Sequence, residues 1–279
     1  MLMEFIRRLS FHPSVIRASQ LLHMRRVLGK VYFRLARPRD GVVRLEAAGT
    51  EARFHIRTAA ELRNLDPAGA FQDERLILEH VLRTLEGGGT FYDIGSNVGL
   101  YAVLVARALG ERGGVIAFEP FSEAYAHLQS NIALNGLTNI RLFRNALGQF
   151  PTQGRLYRGG GNADSSLVVP PAGVDLGYEF VDVVRGDDLV LSHKLPLPRA
   201  VKIDVEGYEY EVIQGLRSTL AEANCELVCC EIHPRLLPPP ITPKAVLDAL
   251  ESLGYRQISV RPRKDTLHAI AHRAGQGST

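Results

Sequence analysis

The residues best placed to do chemistry begin at Asp93, where Asp93-Ile94-Gly95-Ser96-Asn97-Val98-Gly99 sets a carboxylate just before two glycines. Glycine carries no Cβ, so the backbone there can turn sharply and approach a ligand closely. Glu119 follows twenty residues after Gly99. In a βαβ unit that distance brings an acid to the tip of the neighbouring strand, where it can accept both ribose hydroxyls of a nucleotide. A dinucleotide site uses G-x-G-x-x-G to seat a pyrophosphate on a helix amino end, but this chain reads D-x-G-x-x-x-G. Asp93 would repel a pyrophosphate and suits a ligand carrying an ammonium and a sulfonium. The pattern favours S-adenosylmethionine over NAD. The competing readings make Asp93 a helix cap and Glu119 a surface acid before Pro120, and the spacing of the pair argues against both.

A second set of groups lies further on, in Lys202-Ile203-Asp204-Val205-Glu206-Gly207 and in Glu231-Ile232-His233-Pro234. Asp204 and Glu206 are two apart on an expected strand, so their side chains start on one face, and Glu231 and His233 repeat the arrangement. Methyl transfer from a sulfonium is an in-line displacement, in which aligning donor and acceptor removes roughly 7–11 kcal/mol of barrier at best. A hydroxyl acceptor must also lose its proton, and a placed carboxylate or imidazole contributes about 10²–10⁴-fold. On this reading His233 or Asp204 is the base and Glu206 orients the acceptor. Asp204 and Glu206 can equally cap the helix beginning near Tyr208. The four groups also admit a divalent, Mg²⁺-like cation, a lesser reading, and no metal ligand is assigned. Lys202 is expected to pack its stem or pair locally, and His12, His23, His55, His80 and His127 stand in no constellation.

These groups need elements to hold them. Phe91, Tyr92 and Ile94 form a short apolar run after Gly87-Gly88-Gly89, too short for a helix and long enough for a parallel strand. A helix should follow over 100–109, then a strand over 115–118. Pro120 should open the next helix, ended by Asn135-Gly136. Further strands are expected at 140–143, 181–184, 200–205, 225–232, 255–260 and 267–272, and helices at 73–85, 187–191 and 243–253. Such alternation implies a parallel sheet with helices on both faces. The singled-out residues then fall at carboxyl ends of strands, where open α/β sheets bind ligands.

The rest of the chain bounds the reading. A basic amino-terminal helical arm carries Arg7, Arg8, Arg17, Arg25, Arg26, Lys30, Arg34, Arg37 and Arg39 among apolar residues, and a hairpin follows over 42–57, so 1–70 is set apart from a catalytic domain over 71–279. The arm either packs on that domain with a solvated basic face or rests on an anionic membrane, and the first reading is preferred. The Gly/Pro/Ser-rich stretch 149–185 suggests an insertion or mobile flap over the site. A formal net charge of +3 is too small to argue for nucleic acid. Pro238-Pro239-Pro240-Ile241 also lacks the acid or amide and the aromatic residue of a base-methylating motif. Cys225, Cys229 and Cys230 read as buried reduced thiols. With no leader-like or membrane-spanning run, the expectation is a cytoplasmic protein, at most peripheral at the inner membrane face.

Together the blocks 93–100, 115–120, 145–148, 202–207 and 231–234 resemble the FkbM-type, class I S-adenosylmethionine-dependent methyltransferases. Ser96 stands where that family commonly has alanine, a small-for-small change. The resemblance implies an α/β, Rossmann-like, doubly wound seven-stranded sheet with its last strand antiparallel. It also implies an O-methyltransferase acting on a hydroxyl of a small molecule or glycan, such as a sugar or secondary metabolite. Mapped onto this chain, Asp93, Gly95, Ser96, Asn97 and Gly99 hold the methionine part of the cofactor. Glu119, followed by Pro120, takes the ribose, and Asn145 and Ala146 border the adenine. A nucleic-acid methyltransferase and a non-catalytic nucleotide-binding module remain as alternatives.

Overall fold

The structure, a computed structural model, describes residues 33–66, 71–158, 165–169 and 177–273. Most of the expected basic arm, the glycine run at 159–162 and the prolines 170–171 lie outside the described residues. In chain order, hairpin strands β1 (Val42–Ala47) and β2 (Thr50–His55) are followed by α1 (Ala59–Asn64), α2 (Phe71–Thr84), β3 (Gly89–Ile94) and α3 (Leu100–Leu109). Then come β4 (Gly113–Phe118), α4 (Ser122–Leu134), β5 (Ile140–Phe143), β6 (Ala146–Gly148), β7 (Thr152–Arg158), β8 (Ser165–Ser166) and β9 (Tyr178–Arg185). The chain ends with α5 (Gly186–Ser192), β10 (Ala200–Ile203), α6 (Glu209–Gly215), α7 (Arg217–Ala221), β11 (Leu227–Ile232), α8 (Pro243–Ser252), β12 (Tyr255–Arg263) and β13 (Thr266–Arg273).

The main sheet has seven strands in the order β12-β13-β11-β10-β3-β4-β5. The five strands from β11 to β5 run parallel, and β13 is antiparallel to both β11 and β12. This is the Rossmann-like arrangement that the sequence implied. Strand residues alternate between two cores. Phe91, Val115, Ala117, Ala200 and Leu227 pack on the side of α2, α3 and the hairpin. Tyr92, Ile94, Ile116, Phe118, Val201 and Val228 pack on the side of α5 to α8. With both faces covered, the central strands are mostly apolar, with Asp93 in β3 and Lys202 in β10 as buried charged exceptions, which is why they read as short runs. Cys225, Cys229 and Cys230 are buried free thiols, and no helix among the described residues is long and apolar enough to cross a membrane.

Two stretches differ from their sequence reading. The hairpin is no separate unit, because Leu45, Ala47, Ala52 and Phe54 enter the same core as Phe91 and Val103. Side chains of α4 bind its outer edge. Asn135 accepts from Arg53 N at 2.9 Å and donates to Arg53 O at 2.7 Å. Asn131 accepts from His55 N at 2.9 Å, and His127 Nε2 lies 3.1 Å from the His55 carbonyl. Much of the expected flap, in turn, is a small sheet ordered β6-β9-β7-β8. Leu156, Val181 and Val183 pack its inner face on Phe121, Ala124 and Ala146. Alternation of Leu, Val and polar residues built these strands, while overall composition pointed to a loop.

The glycine turn after β3 is held tightly by the loop and helix packed against it. Gly95 has φ of +80°, and a Cβ there would lie 1.8 Å from the carbonyl oxygen of Asp204 on the neighbouring loop. A Cβ on Gly99, at φ +91°, would lie 2.2 Å from Leu128 Cδ1. Gly95→Ala should therefore cost about 2–6 kcal/mol from backbone strain and overpacking. In a thermal melt this would lower the midpoint by roughly 5–20 °C. An unchanged melting temperature would refute the packing described for the turn.

Candidate active site

A cleft of about 920 Å³ opens at the carboxyl ends of β3, β4 and β10. Asp93, Gly95, Ser96, Asn97, Glu119, Pro120, Asn145, Ala146, Asp204 and Glu206 all line it. Gly99 and His233 do not. Gly99 instead starts α3 in a left-handed conformation, and His233 lies behind the wall.

Asp93 is buried at the end of β3, with Ser96 Oγ donating to its carbonyl at 2.7 Å. Its Oδ2 accepts from Ala102 N at 3.0 Å, in the first turn of α3. Capping therefore uses one oxygen, and the other, Oδ1, has no hydrogen-bond partner in the described protein. A buried carboxylate oxygen left this way is costly unless a ligand satisfies it. Burial lifts the Asp93 pKa to about 6, against the pull of Lys202 and the Ala102 N–H.

Glu119 follows β4 and is also buried, which excludes the surface reading. Its Oε2 accepts from Asn97 N at 2.7 Å and its Oε1 from Phe121 N at 2.8 Å. The carboxylate thus ties the glycine turn to the entry of α4. Each oxygen can accept a second hydrogen bond, as two ribose hydroxyls require. Burial raises its pKa to about 7, more than these two N–H groups lower it. An orphaned anion beside the turn and a second acid with acceptor capacity suit an adenosyl sulfonium with an amino group, so the residues present fit S-adenosylmethionine.

The second group is arranged differently from its sequence reading. β10 ends at Ile203, so Asp204 and Glu206 belong to a loop, with Glu206 at φ +52°. Neither caps α6, whose N-cap Tyr208 makes no side-chain cap bond. Glu231 also lines the cleft but stands outside the group formed by Asp204, Glu206 and His233, accepting from Thr266 Oγ1 at 2.9 Å and lying 3.1 Å from His268 Nε2. His233 faces the acids, with Nε2 lying 3.3 Å from Glu206 Oε2 and 3.9 Å from Asp204 Oδ1. Its Nδ1 sits 2.7 Å from Glu209 Oε1. Burial disfavours the charged ring, but the Glu209 hydrogen bond and the charges of Asp204 and Glu206 outweigh it and raise the pKa to about 9. The structure brings both candidate bases, His233 and Asp204, to one place. Of the two, Asp204 lines the cleft. Burial raises its pKa while Lys202, at 2.8 Å from Oδ2, pulls the other way.

Several residues at the site were missed from sequence. Glu209 lies two residues past the block that was read, and its acidic type was the available signal. Tyr208 lines the cleft, and Ser166 of β8 donates to the Glu206 carbonyl at 2.5 Å. Arg63 on α1 and Lys264 in the β12–β13 turn reach the rim. No local pattern announced these two, because both are brought there by long-range packing.

Comparison with known proteins then decides the family. A model of the methyltransferase FkbM domain matches residues 93–257, more than half of the chain. The chain belongs to the FkbM methyltransferase family. It is accordingly an S-adenosylmethionine-dependent methyltransferase. It is similar to the hexuronic acid methyltransferase AglP of Haloferax volcanii, with 29% identity over 71% of this chain and 77% of that protein. Among solved structures it aligns with a precorrin-6y C5,15-methyltransferase from Geobacter metallireducens, at 14% identity and a TM-score of 0.43, covering 72% of this chain and 89% of that one. It also aligns with an rRNA methylase from Streptococcus thermophilus, at 12% identity and a TM-score of 0.44, covering 72% and 95% of the two chains. Likenesses of that size say nothing of the acceptor.

Proposed function

We propose that this FkbM-family enzyme methylates a hydroxyl of a sugar that carries an acid group. The observation behind this reading is the pairing of an acidic wall, Asp204 and Glu206, with two rim cations, Arg63 and Lys264, around one cleft. Neither cation has an acidic partner among the described residues. A relative named for hexuronic acid, a sugar with a carboxylate, supports the same class.

Asp93 and Glu119 would hold the cofactor, with Asn145 and Ala146 at its other end. When bound, S-adenosylmethionine supplies the methyl group and leaves as S-adenosylhomocysteine. Asp204 takes the acceptor's hydroxyl proton as the oxygen becomes nucleophilic. Lys202 is buried beneath it, where surrounding acids outweigh burial and hold the ammonium charged, so Asp204 keeps a fixed cation beside it. Glu206, across from His233, orients the acceptor.

The test is a methyl-transfer assay on uronate-containing and neutral glycosides. The uronate should be the better acceptor. Arg63→Gln combined with Lys264→Gln should raise its KM about 3–10-fold, the scale of two exposed charge contacts. The KM for a neutral glycoside and the affinity for S-adenosylhomocysteine should not move. Equal use of both acceptors by the parent enzyme would count against the acidic-sugar reading.

A further inference from the structure

Three groups from two loops converge at the edge of the cleft. Asp204 and Glu206 come from the β10–α6 loop and His233 from the exit of β11, and one ligand atom of each lies within 4.8 Å of the others. From this geometry we infer that the chain binds one divalent cation of the Mn²⁺ class between Asp204, Glu206 and His233.

The imidazole separates this group from a mere cluster of acids. Its Nδ1 is engaged by Glu209 at 2.7 Å, so Nε2 is the nitrogen presented to Asp204 and Glu206. Glu209 is itself fully buried and fixed, since the same oxygen accepts from Gly207 N at 2.8 Å. A carboxylate behind a histidine sets the tautomer and orientation of a metal ligand. Lys202 occupies Oδ2 of Asp204, which leaves Oδ1 for the group.

Distances point the same way. A direct bond between a charged imidazole and a carboxylate closes to about 2.7–2.9 Å, and the Glu209 contact does so. The contacts from Nε2, at 3.3 and 3.9 Å, are wider. Ligands held about 2.0–2.2 Å from one ion stand roughly 3–4.4 Å from each other. Two carboxylates and one imidazole mix hard oxygen donors with a nitrogen, which suits Mn²⁺ and extends to Mg²⁺ and Co²⁺. Asp204 and Glu206 line the cleft, so the remaining coordination positions face it. There an ion would receive the acceptor oxygen and lower the pKa of its hydroxyl. That last role rests on the methyl-transfer reading, whereas the site itself does not.

The full chain, stripped of metal and titrated with Mn²⁺ under electron paramagnetic resonance, should bind one ion. Glu206→Gln should weaken that binding about tenfold or more. Co²⁺ should give ligand-field absorption that His233→Ala removes, with Glu206→Gln deciding the matter should His233→Ala not fold. Binding of S-adenosylhomocysteine is measured alongside by calorimetry. No Mn²⁺ bound at millimolar concentration, or Mn²⁺ binding untouched by Glu206→Gln, overturns the metal site even where S-adenosylhomocysteine binds normally. Mn²⁺ bound as described without any S-adenosylhomocysteine binding would uphold the site and remove the cofactor reading instead.

Discussion

Replacing Glu119 with alanine should weaken S-adenosylhomocysteine binding by about 10²–10⁴-fold, the scale of losing two hydrogen bonds to a charged group. The same carboxylate anchors Asn97 N and Phe121 N, so the change also frees the turn that grips the rest of the cofactor. Calorimetry reads the affinity, and a thermal melt shows whether the variant is folded. Unchanged affinity would mean the ribose sits elsewhere. Proton linkage gives a second signature. The Glu119 pKa lies near 7, so if the carboxylate is the binding form, affinity should fall about tenfold between pH 8 and pH 6.

The unliganded fold should show the opposite trend. Burial raises both Glu119, to about 7, and Asp93, to about 6, above their ordinary values. Between pH 4 and 7 the folded chain therefore binds more protons than the unfolded one. These two groups make it less stable as pH rises through that window. The ligand-induced rise in melting temperature should grow over the same range.

Asp204→Asn is the second substitution of large effect. Turnover should fall about 10²–10⁴-fold, the usual contribution of a general base, with S-adenosylhomocysteine affinity held within about threefold. Asparagine keeps an acceptor for Lys202 but removes its nearest counter-charge. Asp93, Glu74 and Glu231 remain to hold the ammonium, so the protein should lose stability and still fold. Steady-state kinetics beside calorimetry separate the two effects. Full turnover in this variant would remove Asp204 from the proton transfer.

The difference between what could and could not be read in the chain follows from the range of the interactions. β3 and β4 were legible because a buried parallel strand is a short apolar run and its two neighbours are set by βαβ spacing. Asp93 and Glu119 were legible because that spacing fixes which strand tips adjoin. The surroundings of His233 were not legible because its partner Glu209 comes from another element, 24 residues away. Asp204 and Glu206 were assigned to a strand that ends one residue too soon, at Ile203. Of the small sheet only a strand over 181–184, within β9, was legible, because β7 and β9 are separated by a glycine- and proline-rich link whose composition dominated the reading.

The helix α4 that shares Asn131 between His55 and the carbonyl of Val98, at 2.8 Å, has a consequence for how the molecule behaves in a crowded solution. A two-stranded ribbon is barely stable alone, and its open side is an invitation to pair with foreign strands. Here amides and an imidazole occupy the donors and acceptors that such a partner would seek. Recruitment of another chain along that margin, and the polymerisation it could seed, is blocked by side chains that also steady the nucleotide turn.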